Sequence, residues 1–182
     1  MAKRVLLVRG GSLGRNTGLG AAHHNLEDLL ESGKVDGWQL AGICEYQLEK
    51  TSNPISRIWQ RWFAHPKRVA KEINRLVSKN QCDLVHITDQ EQAHLMPRNC
   101  PVPGIITVHD LFHLFPEHLR FSDEVIAVGD TKPGIVRRRD LQKLKAGINR
   151  ANHLLCNSKH TLEAAEQHFP TVPASRVPLG IE

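Results

Sequence analysis

An apolar run that ends in an imidazole and a carboxylate, Ile105-Ile106-Thr107-Val108-His109-Asp110, is where this chain most plainly offers chemistry. A buried strand of an open α/β sheet aims its last side chain into the crevice where ligands bind. A neutral imidazole there can orient or deprotonate a hydroxyl, and Asp110 can fix its tautomer or its position. Position alone weighs this role for His109 evenly against that of a surface histidine just outside the core.

A second candidate is Gly10-Gly11-Ser12-Leu13-Gly14-Arg15-Asn16-Thr17-Gly18-Leu19-Gly20. Glycines after a strand let backbone N–H groups approach an anion, and a following helix adds the positive end of its dipole. A phosphate or diphosphate fits such a turn at Gly18, Leu19 and Gly20; so does a plain strand-to-helix loop with no guest. The run does not complete G-x-G-x-x-G, because His23 stands where the third glycine belongs, and it lacks the G-K-[ST] ending of a P-loop. A third cluster follows the run Asp83-Leu84-Val85-His86-Ile87. Asp89, Gln92 and His94 offer the mixed donors and acceptors that sugar hydroxyls need. Thr88 or Asp89 could equally do no more than cap a helix. Histidine is abundant at 11 residues, and His109 and His113 stand four apart near Asp110 and His118. Zinc-binding pairs at that spacing sit on a helix. Pro116 and the preceding strand argue against one, and no H-E-x-x-H occurs, so no metal site is expected.

Two basic segments complete the candidates. Within residues 57–68, Ile58, Trp59, Trp62 and Phe63 form one stripe flanked by Arg57, Arg61, Lys67 and Arg68. Such a helix suits an anionic membrane surface, though more often a stripe of this kind docks on a sheet. Lys132, Arg137, Arg138, Arg139, Lys143, Lys145 and Arg150 could gather a phosphate-bearing acceptor or acidic lipid, and more often form a solvated helix face.

The elements that must position these groups alternate. Strands are expected at 4–9, Trp38–Tyr46, 83–87, 104–109, His153–Cys156 and 176–179. Helices are expected from Leu19 to Gly33, from Pro66 with Val69, Ile73, Leu76 and Val77 on one face, at Gln90–Leu95, at 133–150 and at 158–169. Residues 51–54 read as a loop and 111–133 as a long irregular stretch. Continuous apolar strands alternating with helices imply an α/β fold, a doubly wound, Rossmann-like parallel sheet with helices on both faces. A length of 182 residues fits one domain, 1–182. The hydrophobic fraction of 40% and charged fraction of 24% exclude a disordered chain. A net charge of +5 favours anionic partners without choosing among them. Cys44, Cys82, Cys100 and Cys156 form no C-x-x-C pair, and Cys44, Cys82 and Cys156, in or beside apolar strand-like runs, read as buried free thiols of a reducing compartment. The apolar run after Met1-Ala2-Lys3-Arg4 is too short for a signal peptide, and no stretch approaches a membrane span. The expected location is the cytoplasm, with contact at the inner face of a membrane as a further option.

Taken in order, five elements resemble the amino-terminal domain of family-4 retaining glycosyltransferases of the GT-B type. They are Thr17-Gly18-Leu19-Gly20, Asp83-Leu84-Val85-His86, Thr107-Val108-His109-Asp110-Leu111, His153-Leu154-Leu155-Cys156-Asn157-Ser158-Lys159-His160-Thr161, and Val177-Pro178-Leu179-Gly180-Ile181-Glu182. The resemblance covers nearly the whole chain. Leu179-Gly180 stands in place of an asparagine-glycine, and Asn157 precedes Ser158, as mild departures. The resemblance implies one half of a GT-B fold that transfers a sugar from a nucleotide-sugar to a carbohydrate or lipid-linked acceptor. It places the donor diphosphate against Gly18, Leu19 and Gly20, and makes His109 catalytic with Asp110 in support. Asp89, Gln92, Ser158 and Lys159 would face the acceptor. No metal or other cofactor is implied, and no nucleic acid. The carboxy-terminal half, which grips the nucleotide, is expected outside this chain, so the chain alone is not expected to turn over. Two other classes compete: a dinucleotide-binding domain of an oxidoreductase, with Glu45 on the ribose hydroxyls, and a binding module without chemistry.

Overall fold

The computed structural model describes residues 2–11, 13–46, 53–121 and 124–178. In chain order the elements are β1 (Lys3–Gly11), α1 (Gly18–Glu31), β2 (Trp38–Tyr46), α2 (Pro54–Trp59), a π-helical turn (Gln60–Ala64), α3 (His65–Ser78), β3 (Leu84–Ile87) and a 3-10 helix (Gln90–Leu95). Then come β4 (Gly104–Val108), β5 (Glu117–Phe121), β6 (Glu124–Val128), α4 (Ile135–Ile148), β7 (His153–Cys156), α5 (Lys159–His168) and β8 (Ala174–Arg176). Six strands form one sheet in the order β2-β1-β3-β4-β7-β8, with every pairing parallel. The chain leaves β1 for β2 on one side and returns to β3 on the other. The crevice of a doubly wound sheet therefore opens at the carboxyl ends of β1 and β3.

Alternation along the strands divides the apolar residues between two faces. Leu6, Val8, Val85, Ile87, Ile106, Val108, Leu154 and Cys156 join the main core with α3, α4, α5 and the 3-10 helix. Val5 and Leu7 pack instead with Leu30 of α1. The helices do lie on both faces, but unevenly. Among the described residues α1 is the one helix that contributes to the second core, and on that face Thr107, His109 and Leu155 stay half-buried.

Three expectations change. Residues 111–133 are not irregular throughout: β5 and β6 pair antiparallel as a separate ribbon. Each is a five-residue strand paired only with the other, so no long apolar run marks them. The helix expected from Pro66 is α3, with Pro66 in its first turn, but helical structure already begins at Pro54, where the Asn53 side chain accepts from Ser56 N–H at 2.8 Å, so the end of the expected 51–54 loop is helical. The wide π turn lies directly before Pro66, whose ring and missing N–H would break an uninterrupted α ladder. The last strand is Ala174–Arg176 rather than 176–179. Ser12, Thr51, Ser52 and the tail Leu179-Gly180-Ile181-Glu182 lie outside the described residues.

One close approach fixes how the site is held. Gly147 of α4 packs on the 3-10 helix, and a Cβ there would overlap the Ala93 carbonyl and crowd His94 N. Backbone cannot swing aside as a flexible side chain can. Gly147→Ala is therefore expected to lower stability by roughly 1–3 kcal/mol despite the better helix propensity of alanine. Urea denaturation reads this; an unchanged midpoint would mean the two helices separate freely.

Candidate functional site

His109 follows the last residue of β4, and its main chain is fixed from both sides. Its N–H donates to Oε1 of buried Gln90 at 2.8 Å, and its carbonyl accepts from the Thr161 hydroxyl at 3.2 Å. Its ring Nε2 lies 3.2 Å from the Thr88 carbonyl. A carbonyl only accepts, so Nε2–H is the donor, and in the neutral ring Nδ1 then holds the lone pair that a hydroxyl proton can use. His23 of α1 places its own Nε2 3.2 Å from the same oxygen. A carbonyl has two lone pairs, and here both are used. His86, on β3, pairs its Nε2 with Thr107 Oγ1 of β4 at 2.7 Å.

These groups line a cleft of about 660 Å³ between α1 and the second face of the sheet. Its other walls include Gly18, Ala22, Leu26, Leu29 and Leu155. Burial holds His23 down to about 4; the Thr88 carbonyl opposes the shift and the Arg9 charge adds to it. Burial likewise lowers His86 to about 4, with His23 and His109 adding. Both are neutral imidazoles at physiological pH, able to accept or donate one hydrogen bond each.

The expected residues divide. His109 and Gly18 line the cleft together. Thr17 caps α1, its hydroxyl accepting from Gly20 N–H at 3.0 Å. The N–H groups of Gly18 and Leu19 have no acceptor within the helix, as at any helix start. Gly20 is buried behind that edge, where a Cβ would overlap the Gly14 carbonyl; its glycine serves packing of the turn. Asp110 does not support the His109 ring; its carboxylate accepts from Phe112 N–H at 3.2 Å. Gln90, Thr88 and Thr161 are the supports instead. Asp89 caps the 3-10 helix through Glu91 N–H at 2.9 Å, and its burial raises its pKa. Gln92 lies against Gly10 and accepts from Arg61 at 3.3 Å. Arg61 in turn holds Asp140 at 2.9 Å. Ser158 caps α5 and sits 2.8 Å from the Thr161 hydroxyl, so it reaches His109 through Thr161. Lys159 is exposed and pairs with Glu163 at 3.5 Å. Asp89, Gln92, Ser158 and Lys159 are thus absent from the cleft lining, because capping or ion-pair networks occupy them.

His23, His86, Thr107 and Gln90 went unassigned from the sequence. His86 stood inside a recognised strand, and only the pairing of β3 with β1 and β4 shows which face it takes. His113 lies 3.7 Å from Asp130, away from the His109 supports. Among the described residues no three His, Cys, Asp or Glu side chains converge as metal ligands would. Glu45 faces the buried Arg9 guanidinium at 3.6 Å, and Glu27 takes the same arginine at 2.8 Å. That pairing leaves Glu45 poorly placed for ribose hydroxyls.

Residues 34–182 match the sequence profile of Glycosyltransferase Family 4. No curated protein sequence matches this chain. A sucrose-phosphate synthase from Thermosynechococcus elongatus superposes with a TM-score of 0.62 at 13% identity, covering 99% of this chain and 49% of its own. UGT2 from Phytolacca americana, solved with UDP-2-fluoro-glucose and pterostilbene, gives 0.58 at 14% identity, covering 100% of this chain and 55% of its own. A UDP-glucosyltransferase from Polygonum tinctorium, which glucosylates indoxyl, gives 0.55 at 13% identity, with 100% and 52% covered. The chain spans about half the length of these solved structures.

Proposed function

The chain belongs to Glycosyltransferase Family 4, and on that premise we propose that it is the acceptor-binding half of a retaining enzyme that moves a sugar from a nucleotide-sugar to an acceptor hydroxyl. The observation that supports this most is His109, a strand-end imidazole with one fixed tautomer and a free Nδ1 in a cleft that also reaches the start of α1. Nδ1 orients the acceptor hydroxyl or takes its proton as the bond to the anomeric carbon forms. The donor diphosphate lies by Gly18 and Leu19, whose N–H groups and helix dipole stabilise the charge that grows on the leaving group. In this reading that electrostatic work needs no metal. The nucleotide and most of the diphosphate belong to a second domain outside residues 1–182, and closure of the two halves aligns the reacting atoms. The decisive experiment joins them. Residues 1–182 alone are expected to give no sugar transfer, and the chain paired with its second domain to give it. Transfer by residues 1–182 alone would overturn the division of labour.

We also propose that the protein works in the cytoplasm and touches the inner face of a membrane, and the exposed apolar residues of α2 and α4 support the membrane contact. No residue of α2 is buried, so this part of the stripe does not dock on the sheet. Ile55 and Trp59 are 79% and 59% exposed, and Ile135 at the start of α4 is 85% exposed. Ile58, Trp62, Ile135 and Val136 line one apolar groove between these helices. Lys143 sits over the rings of Trp62 and Phe63 at 5.3 and 5.7 Å, and Lys67, Arg68 and Arg139 are exposed nearby in sequence. Cations around aromatic anchors favour anionic lipid by about 1 kcal/mol per basic residue at the surface. Vesicles rich in phosphatidylserine are expected to bind the chain in low salt and release it in high salt. Trp59→Ala with Ile135→Ala should weaken binding about tenfold. Equal binding to neutral vesicles would refute the surface assignment. No helix among the described residues is long and apolar enough to cross a membrane.

A further inference from the structure

The cleft at His109 contrasts with the rest of the molecule. The chain carries 24 lysines and arginines and a net charge of +5. Yet no Lys, Arg, Asp or Glu lines the cleft among the described residues. Its hydrogen-bonding side chains are imidazoles, hydroxyls and the amide of Asn25, and Ala22, Leu26, Leu29 and Leu155 supply an apolar wall. We propose that this cleft takes an uncharged acceptor, an alcohol with an apolar body, and discriminates against phosphorylated sugars and other anionic acceptors.

Three physical points support this. An anion moved from water into a site with no cation loses its hydration without compensation, which costs several kcal/mol. Sites that hold phosphate place arginine, lysine or several N–H groups on it. The one positive feature here, the start of α1 at Gly18, is already assigned to the donor diphosphate. The His86–Thr107 pair and the free Nδ1 of His109 can serve a hydroxyl, which both donates and accepts. The apolar wall can then bury a hydrocarbon or ring portion, and a volume of about 660 Å³ lies in the range of small-molecule sites. The overall basic charge, which by itself favours anionic partners, is placed elsewhere on the surface.

This inference rests on the reading of the cleft as the acceptor site, and it is tested separately. Octyl glucoside below its micellar concentration, octyl phosphate and glucose 6-phosphate are titrated into residues 1–182 and followed by amide NMR. Octyl glucoside is expected to shift Ala22, Leu155 and His109 saturably, and to bind at least about tenfold more tightly than either phosphate. Ala22→Glu, which adds a charge to the wall, should weaken octyl glucoside by about tenfold or more. Leu155→Asn should do the same from the sheet side, so a folding defect in one variant leaves the other to decide. Equal or tighter binding of glucose 6-phosphate would overturn the proposal. So would octyl glucoside shifts confined to the Trp59–Ile135 surface, or the absence of cleft shifts with all three probes. The acceptor-half assignment itself stands or falls on transfer by the joined halves, whichever probe binds here.

Discussion

Replacing His109 with alanine in the two-domain enzyme is expected to lower kcat/KM by roughly 10²–10⁴-fold, the usual contribution of a positioned acid–base group. The same change should leave folding nearly intact. The ring is half-buried, and its Nε2 makes one bond, at 3.2 Å, to a carbonyl that His23 also serves. One hydrogen bond of that kind contributes about 1 kcal/mol. Gln90 and Thr161 hold the main chain at this position, not the ring, so alanine keeps the strand end in place. Steady-state kinetics and urea denaturation on the same preparation separate the two effects. Near-normal kcat/KM would remove His109 from the chemistry, and loss of the fold would make it a structural residue. His113→Ala is the control. Its ring is turned to Asp130, and its loss should change kcat/KM by less than about threefold.

Which features could be read from residue order follows from the distance over which each is determined. β1, β3, β4 and β7 are short continuous apolar runs, and a sheet covered on both faces is the arrangement that buries such runs. The Thr17 cap and the glycines around it announce α1 locally. That His109 follows the end of an apolar strand was legible because position is local. The partners of His109 were not. Gln90 stands nineteen residues away and Thr161 fifty-two, and neither spacing has a periodicity that would join them. The cleft histidines were hidden for a related reason. His86 looks the same in the sequence whether it faces the α3 side or the α1 side of the sheet. Only the register that sets it beside Leu7 and Ile105 decides.

Asp89 and Ser158 show how one position can serve two uses. Both were candidates for acceptor contacts, and both are types that cap helices well. In the structure they cap, at Glu91 N–H and Thr161 N–H. A polar residue after a strand in an α/β protein sits where ligands bind and also where the next helix begins. Only the geometry separates the two uses. The oxidoreductase alternative meets the same kind of resolution at Glu45. That carboxylate lies 3.6 Å from Arg9, a fully buried guanidinium that needs its anions more than a ribose would need Glu45.

The three most perturbed histidines make a second large effect: the folded state should fail in mild acid. Burial lowers His23 and His86 to about 4 and His94 to about 3, from an ordinary value of 6.5. For His94 the neighbouring Arg61 adds to burial, while Asp140 and a bond to the Arg61 carbonyl oppose it. Between pH 6.5 and about 4 the unfolded chain binds protons at these sites and the folded chain does not. Stability therefore rises with pH across that window and is lost as the pH falls through it. Each site contributes up to ~1.4 kcal/mol per pH unit, so three approach ~4 kcal/mol per unit below the ordinary histidine range. By pH 5 this amounts to roughly 6 kcal/mol, enough to unfold a domain at the low end of the typical range of roughly 5–15 kcal/mol and to weaken any other severely. Urea midpoints at pH 7, 6 and 5 measure the slope. His86→Gln, which keeps a hydrogen-bonding group beside Thr107 Oγ1 but cannot titrate, should lower the slope by about one third. A midpoint independent of pH from 7 to 5 would show that these imidazoles are hydrated in solution and that the cleft floor is open to water.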